Sequence, residues 1–377
     1  MSPFRHPRFL GALAALALPL LAYVGICLTG YDGGDYLRGD CPYYFWTARS
    51  LLADGDLDLS NQLPGDPRGH SDFVSLATDG RVVPKHPVVM PVLALPFIAA
   101  LGMPGALVYN VAQILSFLLA GYLVASRFAR PAIAAAAVTV TGLFSYLPHF
   151  VWNFSPDAAT TALFLWALVA FPTDATRRDR WAMPRALLAG LLFGFAVWSK
   201  LFIFIAFPGF LFLAHRAGWR TLWPFLVGGA IPALLLAWYN QHLFGSPLVF
   251  SYDRILHFDG SRWVLETDRQ VISVATWFED VVEQFLDPDL GLLTTSSITV
   301  PSLLGLPFLF RRDRPLAVFC LVTFVGVIAV YGCWDWKTSF YGHRYAMQVV
   351  AVATLPLAAL LDAGYGFVRK RMQGATL

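Results

Sequence analysis

The chain has 377 residues, of which 57% are hydrophobic, 15% aromatic and 14% charged, with a mean hydropathy of +0.59. Soluble domains carry roughly a quarter charged residues, so this composition excludes one, and continuous apolar runs of about 16–23 residues exclude an alternating β-barrel in favour of a polytopic α-helical membrane protein. The net charge of +3 decides little, and the basic residues form short clusters rather than the continuous patch that nucleic-acid binding needs.

The N-terminus is basic at Arg5 and Arg8 and apolar over 9–28. That is the shape of a signal peptide, but the apolar core is about twice the usual ~10 residues and no A-x-A cleavage site follows. It reads as an uncleaved anchor. Further apolar segments fall at 88–103, 105–126, 131–150, 157–172, 184–199, 201–216, 220–239, 298–310, 315–333 and 345–367. Taking all eleven as crossings scatters the basic clusters over both membrane faces, against the positive-inside rule.

Residues 88–103 are the poorest span, short and punctuated by Pro91 and Pro96, with Pro87 and Pro104 at its edges. If they lie along the membrane surface, ten spans remain and both termini are cytoplasmic. The clusters Arg5/Arg8, Arg127/Arg130, Arg177/Arg178/Arg180/Arg185, Arg216/Arg220, Arg311/Arg312/Arg314 and Arg369/Lys370/Arg371 then share the inner side. Of the 24 acids, only Asp174, Asp179, Asp313 and Asp362 join them. The expectation is a single membrane-embedded domain, residues 1–377, in a cell inner (plasma) membrane. It has two large outer segments, 31–104 and 240–297, interfacial helices at 42–53 and 88–103, and no soluble C-terminal domain.

Polar residues gather at the outer ends of the spans: Asp40, Lys85, His86, Asn153, Asp157, Ser199, Lys200, Tyr239, Asn240, Trp334, Asp335, His343 and Arg344. No strong charge sits mid-span. Transporters and pumps place ionisable groups at depth, so this pattern favours chemistry on a lipid headgroup. Each residue also has a plainer reading. Asp40 precedes Pro42, and proline opens helices, so Asp40 can simply cap a helix over 42–53. Lys200 and Arg344 can be interfacial anchors, and Asp157 follows Pro156 at a helix start, where the dipole favours a carboxylate. Asp54, Asp56 and Asp58 lack the Gly and Glu of a calcium loop, since Leu59 and Gly65 stand at those positions. They are read as shaping the turn that ends the helix. The four cysteines show no metal-ligand spacing.

In order, the motifs resemble the GT-C superfamily of polyprenyl-phosphate-sugar-dependent glycosyltransferases, the group that includes protein O-mannosyltransferases and lipid A aminoarabinose transferases. The first outer loop carries Gly39-Asp40-Cys41-Pro42-Tyr43-Tyr44, Ser50-Leu51-Leu52 and Asp54-Gly55-Asp56-Leu57-Asp58-Leu59 with Asn61. KHPVVMPVLALPF (85–97), FSPDAA (154–159), WSK (198–200), YNQHLFGSPLVFSY (239–252), GLL (291–293) and SFYGHRY (339–345) follow in the family's order. Many relatives have Asp-Glu where this chain has Asp40-Cys41, and Tyr341 interrupts the more frequent S-F-G-x-R pattern.

The resemblance implies an all-α, GT-C-like fold of about ten transmembrane helices and an inverting sugar transfer from a polyprenyl-phosphate donor at the periplasmic or outer face. Asp40 falls on the family's catalytic Asp and would act as base. Lys200 and Arg344 would bind the leaving phosphate, Asp157 would position acceptor or cation, and His86, Tyr239, Asn240 and Tyr44 complete the candidate substrate-binding set. The partners implied are the lipid-linked donor, a lipid, glycan or protein acceptor and membrane lipids. No cofactor is required, and a divalent metal is compatible without being demanded. The competing readings are a flippase or transporter of lipid-linked sugars, which predicts polar residues through the bundle centre, and a polysaccharide ligase or polymerase, which relies on Arg and His in its outer loop.

Overall fold

A computed structural model describes residues 7–30, 39–65, 67–172, 180–260, 262–266, 274–289, 291–333 and 346–374. Fourteen α-helices are described: α1 (Pro7–Gly30), α2 (Cys41–Ala53), α3 (Val89–Leu101), α4 (Pro104–Ala125), α5 (Pro131–Phe144), α6 (Pro156–Ala170), α7 (Ala182–Ser199), α8 (Phe207–Ala217), α9 (Trp219–Phe244), α10 (Trp277–Leu286), α11 (Leu292–Thr295), α12 (Thr299–Arg312), α13 (Arg314–Tyr331) and α14 (Met347–Gly374). Of these, α1, α4, α7, α9, α13 and α14 are long and apolar enough to cross a membrane, and α3, α5, α6 and the segment Leu201–Ala217 are shorter apolar helices. Punctuation is local. Proline in the first turn opens α4, α5, α6 and α13, where its missing N–H costs nothing.

Lipid supplies no hydrophobic drive between helices, so close packing carries their association. A very close crossing joins α7 and α9. A Cβ on Gly190 would stand 2.0 Å from the Phe225 carbonyl oxygen, and one on Gly228 would stand 2.1 Å from that of Leu187. Backbone cannot yield there as a side chain can. Gly228→Val is therefore expected to force the helices apart, at a cost of about 1–3 kcal/mol or more. The yield of monodisperse protein on size exclusion would fall; an unchanged yield and thermal midpoint would refute the close-packing argument. Behind this crossing, Phe210 packs edge-on to Phe319 at 5.0 Å and stacks on Phe225 at 5.6 Å, so aromatic rings tie α8, α9 and α13 into one core.

Charged residues mark one end of the bundle. Asp362 of α14, 5% exposed, binds Arg130 at 2.7 Å and also pairs with Arg312. Arg127 donates to the Leu168 and Val169 carbonyls at the end of α6, which otherwise lack helical partners. Arg185 reaches the Ala170 carbonyl, and Tyr122 reaches that of Arg8. The clusters around Arg8, Arg127/Arg130, Arg185 and Arg312 thus gather at a single end.

The opposite end carries a small element that the sequence reading takes as loop. Strands β1 (Val74–Leu76), β2 (Val82–Pro84), β3 (Ile255–Phe258) and β4 (Trp263–Glu266) form an antiparallel sheet in the order β2-β1-β3-β4. It joins the two large segments through the pairing of Ser75 with Ile255. The fold is therefore mostly helical, as the sequence leads one to expect, with a small four-stranded clasp added at this end.

Candidate active site

Gly39, at φ +59°, turns the chain into α2. Asp40 occupies the capping position, yet its carboxylate makes no capping hydrogen bond. It faces the His86 imidazole instead, with Oδ1 3.3 Å from Nε2 and the side chain 26% exposed. His86 is 9% exposed. Its ring stacks on Tyr44, with centroids 4.9 Å apart, and its Nδ1 lies 3.1 Å from the Tyr252 hydroxyl. When that hydroxyl donates to Nδ1, the neutral ring carries its proton on Nε2, toward Asp40. Tyr252 belongs to the second large segment, so the ring is set by both segments together. Neighbouring contacts fix the same junction: Lys85 donates to the Asp72 carbonyl at 3.0 Å, and its own carbonyl accepts from Ser251 at 2.5 Å.

Tyr43, on the adjacent turn, donates to His70 Nδ1 at 2.9 Å when protonated. Burial and then the Asp40 charge push its phenol above the ordinary range, so it stays protonated at neutral pH. The acids just beyond α2 do structural work. Asp56 Oδ1 accepts from Ser50 Oγ and from the Asp58 N–H, each at 3.0 Å, and Asp54 accepts from Asn61 and Gln62. They close the turn after α2, as their spacing suggests.

A second polar group lies at the start of α6. Asp157, 3% exposed, pairs with Lys200, 13% exposed, and accepts from Ser155 Oγ at 2.9 Å. Lys200 leaves α7 in extended conformation, at φ −155° and ψ 106°, while Thr160 bonds to Ser199 at 2.8 Å and holds α6 to α7. The two groups are bridged. The Cys41 thiol donates to Asn153 Oδ1 at 3.1 Å, and Cys41, Tyr44, Phe154 and Ala159 share one hydrophobic cluster. Residue 41 therefore tethers the Asp40 turn to the segment that leads into Asp157.

Among the other candidates, Tyr239 is half-buried beside Trp198, with ring centroids 6.0 Å apart. Neither the Tyr239 hydroxyl nor the Trp198 N–H has a hydrogen-bond partner among the described residues. Asn240 is spent locally, donating to the Pro247 carbonyl at 3.2 Å to close the turn after α9. Arg344 lies outside the described residues, as do His343, Trp334 and Asp335. Tyr252 is the residue that sequence reasoning passes over; its only signal is its place at the end of the 239–252 stretch. Asp72, His257 and Glu266, on and beside the sheet, are the one group of three among the described residues with ligand atoms mutually within 4.8 Å. The 2.8 Å hydrogen bond that His257 makes to Asp72 raises the pKa of its ring.

No family profile matches the chain, and no curated protein sequence does. Solved structures do match. ArnT from Cupriavidus metallidurans, crystallised with undecaprenyl phosphate, superposes with a TM-score of 0.54 over 95% of this chain at 13% identity. The apo oligosaccharyltransferase of Archaeoglobus fulgidus superposes with a TM-score of 0.56 over 100% of it at 14% identity. The chain has a GT-C fold. It spans 63% and 52% of the length of those two proteins. The GT-C fold sets the Asp40–His86 and Asp157–Lys200 groups at the end of the bundle away from the arginine-bound Asp362.

Proposed function

We propose that the protein is an integral-membrane inverting glycosyltransferase that moves a sugar from a polyprenyl-phosphate donor to a lipid, glycan or protein acceptor. The observation that carries this reading is the Asp40 carboxylate on a GT-C fold. It sits where a helix cap belongs, yet it is turned to a histidine and open to solvent rather than spent on the helix. The undecaprenyl phosphate held by the ArnT neighbour supports a lipid-linked donor. The separation of the arginine-rich end from Asp40 supports an active site on the outer face, because basic residues stay inside. In this reading α2 and α3 lie along the outer surface.

Chemically, the acceptor hydroxyl oxygen attacks the anomeric carbon as the bond to the phosphate oxygen breaks. Asp40 takes the hydroxyl proton, and polyprenyl phosphate leaves. His86, whose Nε2 lies 3.3 Å from Oδ1, holds the carboxylate in its orientation. Lys200 and Arg344 meet the charge that develops on the leaving phosphate, which preorganised cations stabilise best. Asp40 and His86 offer one carboxylate and one imidazole, ligand types that suit a divalent cation, but the proton and the leaving phosphate are both met by the chain's own groups.

The direct test is purified protein in liposomes with a labelled polyprenyl-phosphate sugar. Transfer to an acceptor is expected. Translocation without transfer would replace the reading with that of a flippase, and the absence of both would overturn it. Reporters fused near residues 104 and 128 are expected on the outside and inside respectively; both on one side would remove the crossing at 105–126.

The His86 clasp makes a kinetic prediction. Tyr252→Phe removes only the hydroxyl that orients the ring. A hydrogen bond worth about 1 kcal/mol corresponds to several-fold, up to roughly tenfold, in rate. The expected result is a fall of that size in kcat with the donor KM unchanged. Full turnover would show that Tyr252 does not act through His86.

A further inference from the structure

We propose that α10 lies in the bilayer interface, its face of Val274, Phe278, Val282 and Leu286 covered by lipid, and so anchors the second large segment to the membrane. Val274 lies in the turn before α10, and Phe278, Val282 and Leu286 follow at every fourth position, which places those three on one helix stripe of about 80°. The four are 76%, 72%, 39% and 59% exposed. Polar residues occupy the opposite, inward side. Asp280 and Gln284 are 5% and 6% exposed; Asp280 accepts from Thr276 at 2.7 Å, and Gln284 donates to the Tyr331 carbonyl. A helix on a soluble surface turns its polar side outward, whereas α10 buries Asp280 and Gln284 and leaves large apolar residues exposed.

The neighbour of α10 says what covers the stripe. Trp277 Nε1 donates to the Ala329 carbonyl at 3.1 Å, so α10 begins at the last turn of α13, a helix long and apolar enough to span a membrane. Gly332 leaves the room: a Cβ there would stand 2.6 Å from both Trp277 and Val281. At its far end Phe285 packs on Phe324, with ring centroids 6.2 Å apart. Phe324 is seven residues before Tyr331, about 10 Å down the α13 axis. The C-terminal half of α10 therefore lies beside the spanning helix rather than beyond it, and its outward face meets the lipid that α13 meets through exposed Val325 and Val330. Glu279 and Glu283, both exposed, flank the stripe on one side, where an interfacial helix presents charge to water and headgroups.

Collisional accessibility of spin labels tests this in lipid nanodiscs. Single labels at Phe278→Cys, Leu286→Cys, Glu279→Cys and Glu283→Cys would be placed in a Cys27→Ala/Cys333→Ala background, since Cys41 and Cys320 are buried. Oxygen access relative to a water-soluble nickel chelate is expected to be several-fold higher at 278 and 286 than at 279 and 283. Equal ratios, or nickel favoured at 278, would put the face in water and overturn the proposal. Spin–spin broadening at 278 would overturn it in favour of a second copy. If a labelled variant fails to fold, a photoreactive residue at 278 in the otherwise unaltered chain probes the same face: phospholipid adducts are expected, and protein–protein adducts alone would refute it. Neither readout depends on sugar transfer, so failure here leaves the proposed activity standing.

Discussion

Asp40→Asn is expected to lower sugar transfer by about 10²–10⁴-fold, the contribution of a single positioned base, while the protein inserts and folds normally. The structural side of that expectation rests on what Asp40 does not do. A capping carboxylate satisfies a helix N–H, and its loss costs typically about 1 kcal/mol. Asp40 makes no such bond; its carboxylate faces His86. The amide has the same shape, so α2 should keep its position and the loss should fall on turnover. The measurement pairs initial rates, using a labelled polyprenyl-phosphate sugar, with thermal unfolding in the same detergent. Undiminished turnover would end the assignment. An unfolding midpoint lowered in proportion to the rate would return Asp40 to a structural role.

The sequence shows this much of the site because its chemistry is punctuated. Gly39, Pro42 and Pro156 mark turns and helix starts that place Asp40 and Asp157 at helix ends. The apolar runs between them show where the bundle is. Partners brought from far along the chain leave no such mark. The Tyr252–His86 contact spans 166 residues and the Cys41–Asn153 bond 112, and nothing local encodes either. The sheet escapes for a related reason: β1 and β2 are three residues each, too short for alternation to register. Cys41 is the instructive case. Beside Asp40 it looks like a lost carboxylate, but in the fold it is 2% exposed and bonded to Asn153. An ionised second carboxylate at that point would be buried, a costly placement that the Asn153 amide could offset only by turning over to offer its Nδ2, which has no hydrogen-bond partner among the described residues. The thiol suits the packing that this chain has adopted.

Breaking the Asp157–Lys200 pair is expected to destabilise the protein by about 3–5 kcal/mol, because removing one partner strands the other charge in the interior. Both side chains are largely buried, at 3% and 13% exposed. Asp157→Asn and Lys200→Met should each lower the unfolding midpoint sharply, and the double variant should recover much of the loss, since no unpaired charge then remains. That pattern separates two roles that Lys200 is asked to fill. If it only pins α6 to α7, the double variant should regain donor affinity along with stability. If its ammonium also meets the donor phosphate, the double variant should be stable yet keep a raised donor KM. The cycle is read from thermal unfolding and steady-state kinetics on the same four proteins. Singles as stable as the parent would remove the pair's structural role. A double variant with parental KM would remove Lys200 from the phosphate site and leave the leaving group to Arg344. If Lys200 does meet the donor, Asp157 holds its ammonium in place before the donor arrives, and the phosphate competes with a carboxylate already bound rather than with water.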